Sequence, residues 1–161
     1  MSVTPTGRLS KPLHQLRDLL TSSAAWISWI GASVTPGNRV AIGECPASTP
    51  RPYAIIYWDA NHAATRDGAR VGDFVRTGSI ALGIVADVTD GSDDIDAETD
   101  FLNHLDAVMA DLEHATNSGG DGLTINGWAI TDGPMRIPID QRKKHGDRMM
   151  VEVSFDVEIW P

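Results

Sequence analysis

Apolar and polar positions follow two periods along this chain, and they divide it into helical and extended segments. The clearest helical period runs from Ala97 to about His114. Phe101, Leu102, Leu105, Val108, Met109 and Leu112 recur at three- and four-residue spacing and form one stripe of an α-helix. Asp100, Asn103, Asp106, Ala107, Asp111 and Glu113 occupy the opposite face, which is expected to be wet. The acids Asp93, Asp94, Asp96 and Glu98 precede the stripe, where loose N–H groups and the helix dipole favour negative charge. Asn117 and the Ser-Gly-Gly after it stop the helix.

Two shorter helices are predicted upstream. Ser10 stands as an N-cap with Pro12 in the first turn, and Leu13, Leu16, Leu19 and Leu20 supply the stripe. Ser22 or Ser23 then caps a second helix that holds Trp26, Trp29 and Ile30 on one face and ends at Gly31. That face either packs the core or offers a partner surface. Residues 34–52 are rich in Pro and Gly turn signals, with one short strand at Val40 to Ile42. Tyr53 to Trp58 is β-prone and apolar on both faces, as a central strand requires.

Ser79 to Val88 reads as a strand. Ile80, Leu82, Ile84, Ala86 and Val88 lie on one face, and Ala81, Gly83, Val85 and Asp87 on the other, where small side chains leave room for a close neighbour. Leu123 to Ile130 is a further strand, with a bulge suggested at Gly127, a turn or bulge at residues 131–134 and a resumption at Met135 to Ile137. Arg148 to Trp160 alternates most strictly: Val151, Val153, Phe155, Val157 and Ile159 face in, and Glu152, Ser154, Asp156 and Glu158 face out. The grouped order α-α-(β)-β-long loop-β-α-β-β predicts an α+β fold. In it an antiparallel sheet of four to five strands carries the long helix across one face. One domain spans residues 1–161, with residues 1–8 a loose arm. Residues 59–78 are expected to form a long mobile loop that orders on a partner.

Charge changes this picture more than composition does. The net charge is −9. No Lys or Arg occurs from Thr77 to Met135, while five bases (Arg136, Arg142, Lys143, Lys144 and Arg148) follow closely. That balance argues against a duplex-DNA binder, which needs a basic footprint. It suits either solvated faces or self-association of an acidic patch with a basic one. The single Cys45 excludes an internal disulfide and a cysteine-based zinc cage. There is no apolar leader core and no run near the ~20 apolar residues of a membrane span, so a soluble chain made in a cytoplasm, with no membrane partner, is expected. Catalytic signatures are absent: no phosphate loop, no nucleophile elbow and no zinc-protease helix motif. The acidic run from Asp87 to Asp100 lacks the ligand order of a calcium loop, and His104 and His114 do not share a helix face.

The stretch from Leu13 to Ala32, followed by Arg51-Pro-Tyr-Ala-Ile-Ile-Tyr-Trp, a long loop, a strand, a long helix and a final hairpin, resembles tail terminator (tail-completion) proteins of long-tailed bacteriophages. Related tail-tube and neck proteins share the loop and hairpin. The resemblance implies a virion protein without catalysis or cofactor, assembled as a homo-oligomeric ring of six on the head-proximal end of the tail tube. Such a ring stops tube growth, offers a surface to the head-completion or neck protein, and lets DNA pass without specific binding. On that reading Arg66, Arg70, Phe74 and Arg76 in the long loop contact the tube. Arg142, Lys143 and Lys144 meet Asp93 and Asp94 of the next subunit, and Asp87, Asp90, Glu152, Asp156 and Glu158 face the lumen. Two other classes compete. One is a small metal-assisted hydrolase using Asp93 and Asp94. The other is a cytoplasmic α+β binding module, dimeric through a sheet edge.

Overall fold

The computed structural model describes residue 7 and residues 9–59, 65–67, 75–87, 94–117, 123–137 and 148–159. Alternation along the strands decides the architecture. Ile80, Leu82 and Ile84 sit on the same face of β4 (Val75–Asp87). On one side they align in register with Trp58, Ile56 and Ala54 of β2 (Tyr53–Trp58), and on the other with Phe155, Val153 and Val151 of β6 (Arg148–Ile159). Those three rungs form one apolar face, which the helices cover. From α1 (Lys11–Ser22) come Leu16 and Leu20; from α2 (Ala24–Ile30) come Trp26 and Ile30. The long α3 (Asp94–Asn117) contributes Phe101, Leu105, Val108, Met109 and Leu112. Full burial of such a side chain is worth roughly 1.5–3 kcal/mol.

The fold is α+β, and its strands run in the order β1-β2-β4-β6-β5, with β3 paired to β4 beyond β2. Here β1 is Val40–Ile42, β3 is Thr65–Asp67 and β5 is Leu123–Ile137. Four pairings are antiparallel, but β1 runs parallel to β2, so the sheet is mixed rather than wholly antiparallel. A parallel neighbour normally needs a long crossover. Because β1 is only three residues long, the turn-rich segment 43–52 is enough to bring the chain back to its start.

The expected mobile loop at 59–78 is corrected at both its centre and its end. Residues 65–67 form β3, and β4 begins at Val75, extending the hairpin. The β-prone run Val75-Arg76-Thr77 is held from two sides, since Arg76 and Thr77 also pair with Ile159 and Glu158 of β6. Residues 60–64 and 68–74 lie outside the described residues, as does the arm at 1–6. β5 continues through residues 131–134, which form a bulge and not a turn, and resumes at Met135 as expected. It is bent by register shifts after Ile125, after Ile130 and before Met135. Gly133 makes the last bend possible: its φ is +84°, and a Cβ built there would lie 2.4 Å from the Met150 carbonyl oxygen.

Capping differs from the sequence expectation at two points. Ser10 has helical dihedrals, and its hydroxyl donates to the Gly7 carbonyl (3.1 Å) instead of capping α1. Ser23 does cap α2, accepting from the Trp26 amide at 3.1 Å. Asp111, placed on the wet face of α3 by periodicity, instead reaches that same helix end. Its Oδ2 accepts from the Ala25 amide (3.0 Å) and the Ser23 hydroxyl (2.8 Å). These bonds hold its carboxyl below its ordinary value of 3.8, the Ala25 amide contributing most. A carboxylate from the covering helix thus completes the start of α2.

Two outcomes are expected. Gly133→Ala should lower stability by on the order of 2–3 kcal/mol, a fall in melting temperature of roughly 4–12 °C by calorimetry. Asp111→Ala should cost about 1 kcal/mol at low salt and neutral pH. Because the folded carboxyl titrates below its unfolded value, that stabilisation is complete above the unfolded value. It shrinks as pH falls below 3.8 and through the folded value, so wild type and variant should converge in thermal melts only at pH values under that folded value.

Candidate interaction surface

The second face of the sheet is built from the alternate positions of the same strands. Tyr57, Ala81 and Ser154 form one rung; Ile55, Gly83 and Glu152 form the next; Tyr53, Val85 and Met150 form a third. Ala81 and Gly83 are small, so the Tyr57 phenol leans across β4 and donates to Glu152 Oε2 two strands away. The other oxygen of Glu152 accepts from the Thr131 hydroxyl of β5 at 2.9 Å. One carboxylate therefore ties β2, β6 and β5 together over a strand with no bulk of its own. Burial, and then the bond to Glu152, push the Tyr57 phenol up to about 12, with smaller contributions from the charges of Glu152, Asp59 and Asp132.

Further along this face, Asp156 is exposed and accepts from the Ser79 hydroxyl (3.1 Å), and Glu158 is half-buried, in register with Thr77 and Thr124. At the opposite end of the strands, Asp87 pairs with Arg51 and stands in register with Arg148. Arg39, which donates to the Pro52 carbonyl, lies beside that corner. The face thus runs from an acidic end at Asp59, Asp156 and Glu158 to a basic corner at Arg39, Arg51 and Arg148.

The acids expected to face a lumen therefore separate. Asp156 and Glu158 share the sheet's second face. Glu152 is on it too but is engaged with two hydroxyls, Asp87 is neutralised by Arg51, and Asp90 lies outside the described residues. Of the expected tube contacts, Arg66 and Arg76 stand directly opposite each other in the β3–β4 register, while Arg70 and Phe74 lie outside the described residues. So do Arg142, Lys143, Lys144 and Asp93; Asp94 is the first residue of α3. Sequence reasoning missed the Tyr57–Glu152 bond, although the small second face of β4 was its visible signal.

The aromatic face of α2 divides between the two expected uses. Trp26 is fully buried, whereas Trp29 is half-buried and stacks on His104 of α3 with centroids 5.0 Å apart and planes 8° apart. Asp100 Oδ1 lies 3.8 Å from His104 Nε2, so that pair joins a helix-to-helix contact. Among the described residues, no group of three or more His, Cys, Asp or Glu is placed to hold a metal ion, and no helix is long and apolar enough to cross a membrane.

No protein-family model matches the sequence, and no curated protein matches it either. The fold, however, has a counterpart. It is similar to that of a chain in the virion of a native gene transfer agent particle. The two align with a TM-score of 0.52 over 95% of this chain and 98% of that one, at 12% sequence identity.

The Glu152 bridge has a spectroscopic signature. Glu152→Gln should move the Tyr57 ionisation downward in an absorbance titration at alkaline pH. The midpoint should stay above the ordinary 10.0, because burial is the larger cause and persists.

Proposed function

We propose that this protein is a structural component of a virion, acting as a ring on the head-proximal end of a phage-type tail tube. There it ends tube growth and presents a surface for head joining. The observation that carries the reading is the end-to-end match in fold to a virion chain, in which nearly the whole of each chain is used. The electrostatics support it. A net charge of −9 and a sheet face with Asp156 and Glu158 at one end suit a lumen through which DNA slides, since like charge keeps phosphates from adhering. The role needs no catalytic group and no cofactor. Arg66 and Arg76, opposed in the β3–β4 register, are the tube contacts on this reading.

Negative-stain electron microscopy of the protein, alone and mixed with tail tubes from the same source, tests it. Rings of about six subunits, or caps on one end of every tube, are the expected result. Decoration of the head vertex instead of the tube would make the protein a neck component. Uniform small particles that bind neither would overturn the virion reading.

A further inference from the structure

Strand β5 ends the sheet. It pairs with β6 on one side, and among the described residues nothing pairs with the other. Proteins that keep such an edge to themselves place charge on it, usually lysine, or break it with bulges. The bulges are present here, but between them Gly127–Ile130 keeps a regular four-residue register with β6. From Ile125 to Thr131 the edge carries no charge and no proline. Two of the three large apolar side chains exposed among the described residues, Ile130 and Met135 (41% each), lie on this strand. The exposed Asp132 lies between them, and Glu113 of α3, bonded to Trp128, adds a second acid. Arg136 follows at the strand's basic end. Across the sheet, the far corner presents the Arg39 guanidinium, bonded among the described residues only to the Pro52 carbonyl, beside the Arg51–Asp87 pair.

These two edges differ and their charges are complementary, which is what a head-to-tail contact requires; a self-paired β5 edge would close into a dimer. We infer that the open edge of β5, anchored by Ile130 and Met135, docks against the Arg39–Arg51 corner of a second copy of this chain. The inference rests on the ring reading above and names its lateral contact.

The test uses two full-length variants, each first shown by thermal melt to fold as wild type does. Ile130→Lys with Met135→Lys blocks the β5 edge, and Arg39→Glu reverses the corner. Assembly is read by sedimentation velocity and by capping of tail tubes. Each variant alone should assemble at least tenfold more weakly than wild type. An equimolar mixture should recover dimers, because each variant keeps the surface the other lacks. If Arg39→Glu assembles normally while the β5 variant does not, and mixing restores nothing, β5 pairs with itself and the inference fails. Wild-type assembly by both variants also overturns it, and leaves the ring reading standing because rings and caps are still seen. A wild-type chain that neither self-associates nor caps tubes overturns the ring reading and the contact together.

Discussion

Everything in this structure depends on covering one face of β4. The strand sits in the middle of the sheet, and its Ile80, Leu82 and Ile84 are fully buried. They are buried because Phe155, Val153 and Val151 flank them on one side, Trp58, Ile56 and Ala54 flank them on the other, and α3 lies above. A sheet with period-two alternation can be made apolar on one face only if every strand keeps the same phase, since a one-residue slip would turn each inward side chain outward. The twelve consecutive pairs of β4 with β6 hold that phase without a bulge. Irregularity is confined to β5, at the edge, where slippage disturbs least.

The helical layer is locked by polar contacts that local periodicity does not reveal. Asp111 stands on α3 but satisfies the amide of Ala25 and the hydroxyl of Ser23 at the start of α2. Trp29 of α2 stacks on His104 of α3, and Phe101 and Trp26 meet Trp29 edge-on. The Trp128 indole N–H donates to Glu113, joining the end of α3 to β5. The sheet's second face is braced in the same way, by Glu152 between Tyr57 and Thr131. Acids that a charge count treats as one solvated pool therefore do separate work: Asp111 caps, Glu152 bridges, Asp87 pairs with Arg51, and Asp156 accepts from Ser79.

This division bears on function. A lumen reading that uses every acid of β4 and β6 asks too much of Glu152 and Asp87, whose charges are already engaged. Asp156 and Glu158 remain on the sheet's second face, toward the acidic end. The fold that carries them is shared, end to end, with a virion chain, although only about one residue in eight is identical.

The sequence by itself determined the elements whose signal is local. The stripe of α3, the strict alternation of β6, the two faces of β4, a serine cap on α2 at residue 22 or 23 and the bulge at Gly127 were legible because each depends on spacing along one segment. The α+β class followed from their order. Tertiary structure alone decided what depends on residues distant in the chain. The parallel β1, the strand character of residues 65–67 and 75–78, the roles of Asp111 and Glu152, and the open edge of β5 all belong to this group. The physical reason is common to them. A hydrogen bond across 86 or 95 positions, or a strand paired with a distant one, leaves no periodic trace in its own segment, because its partner is set by how the layers pack.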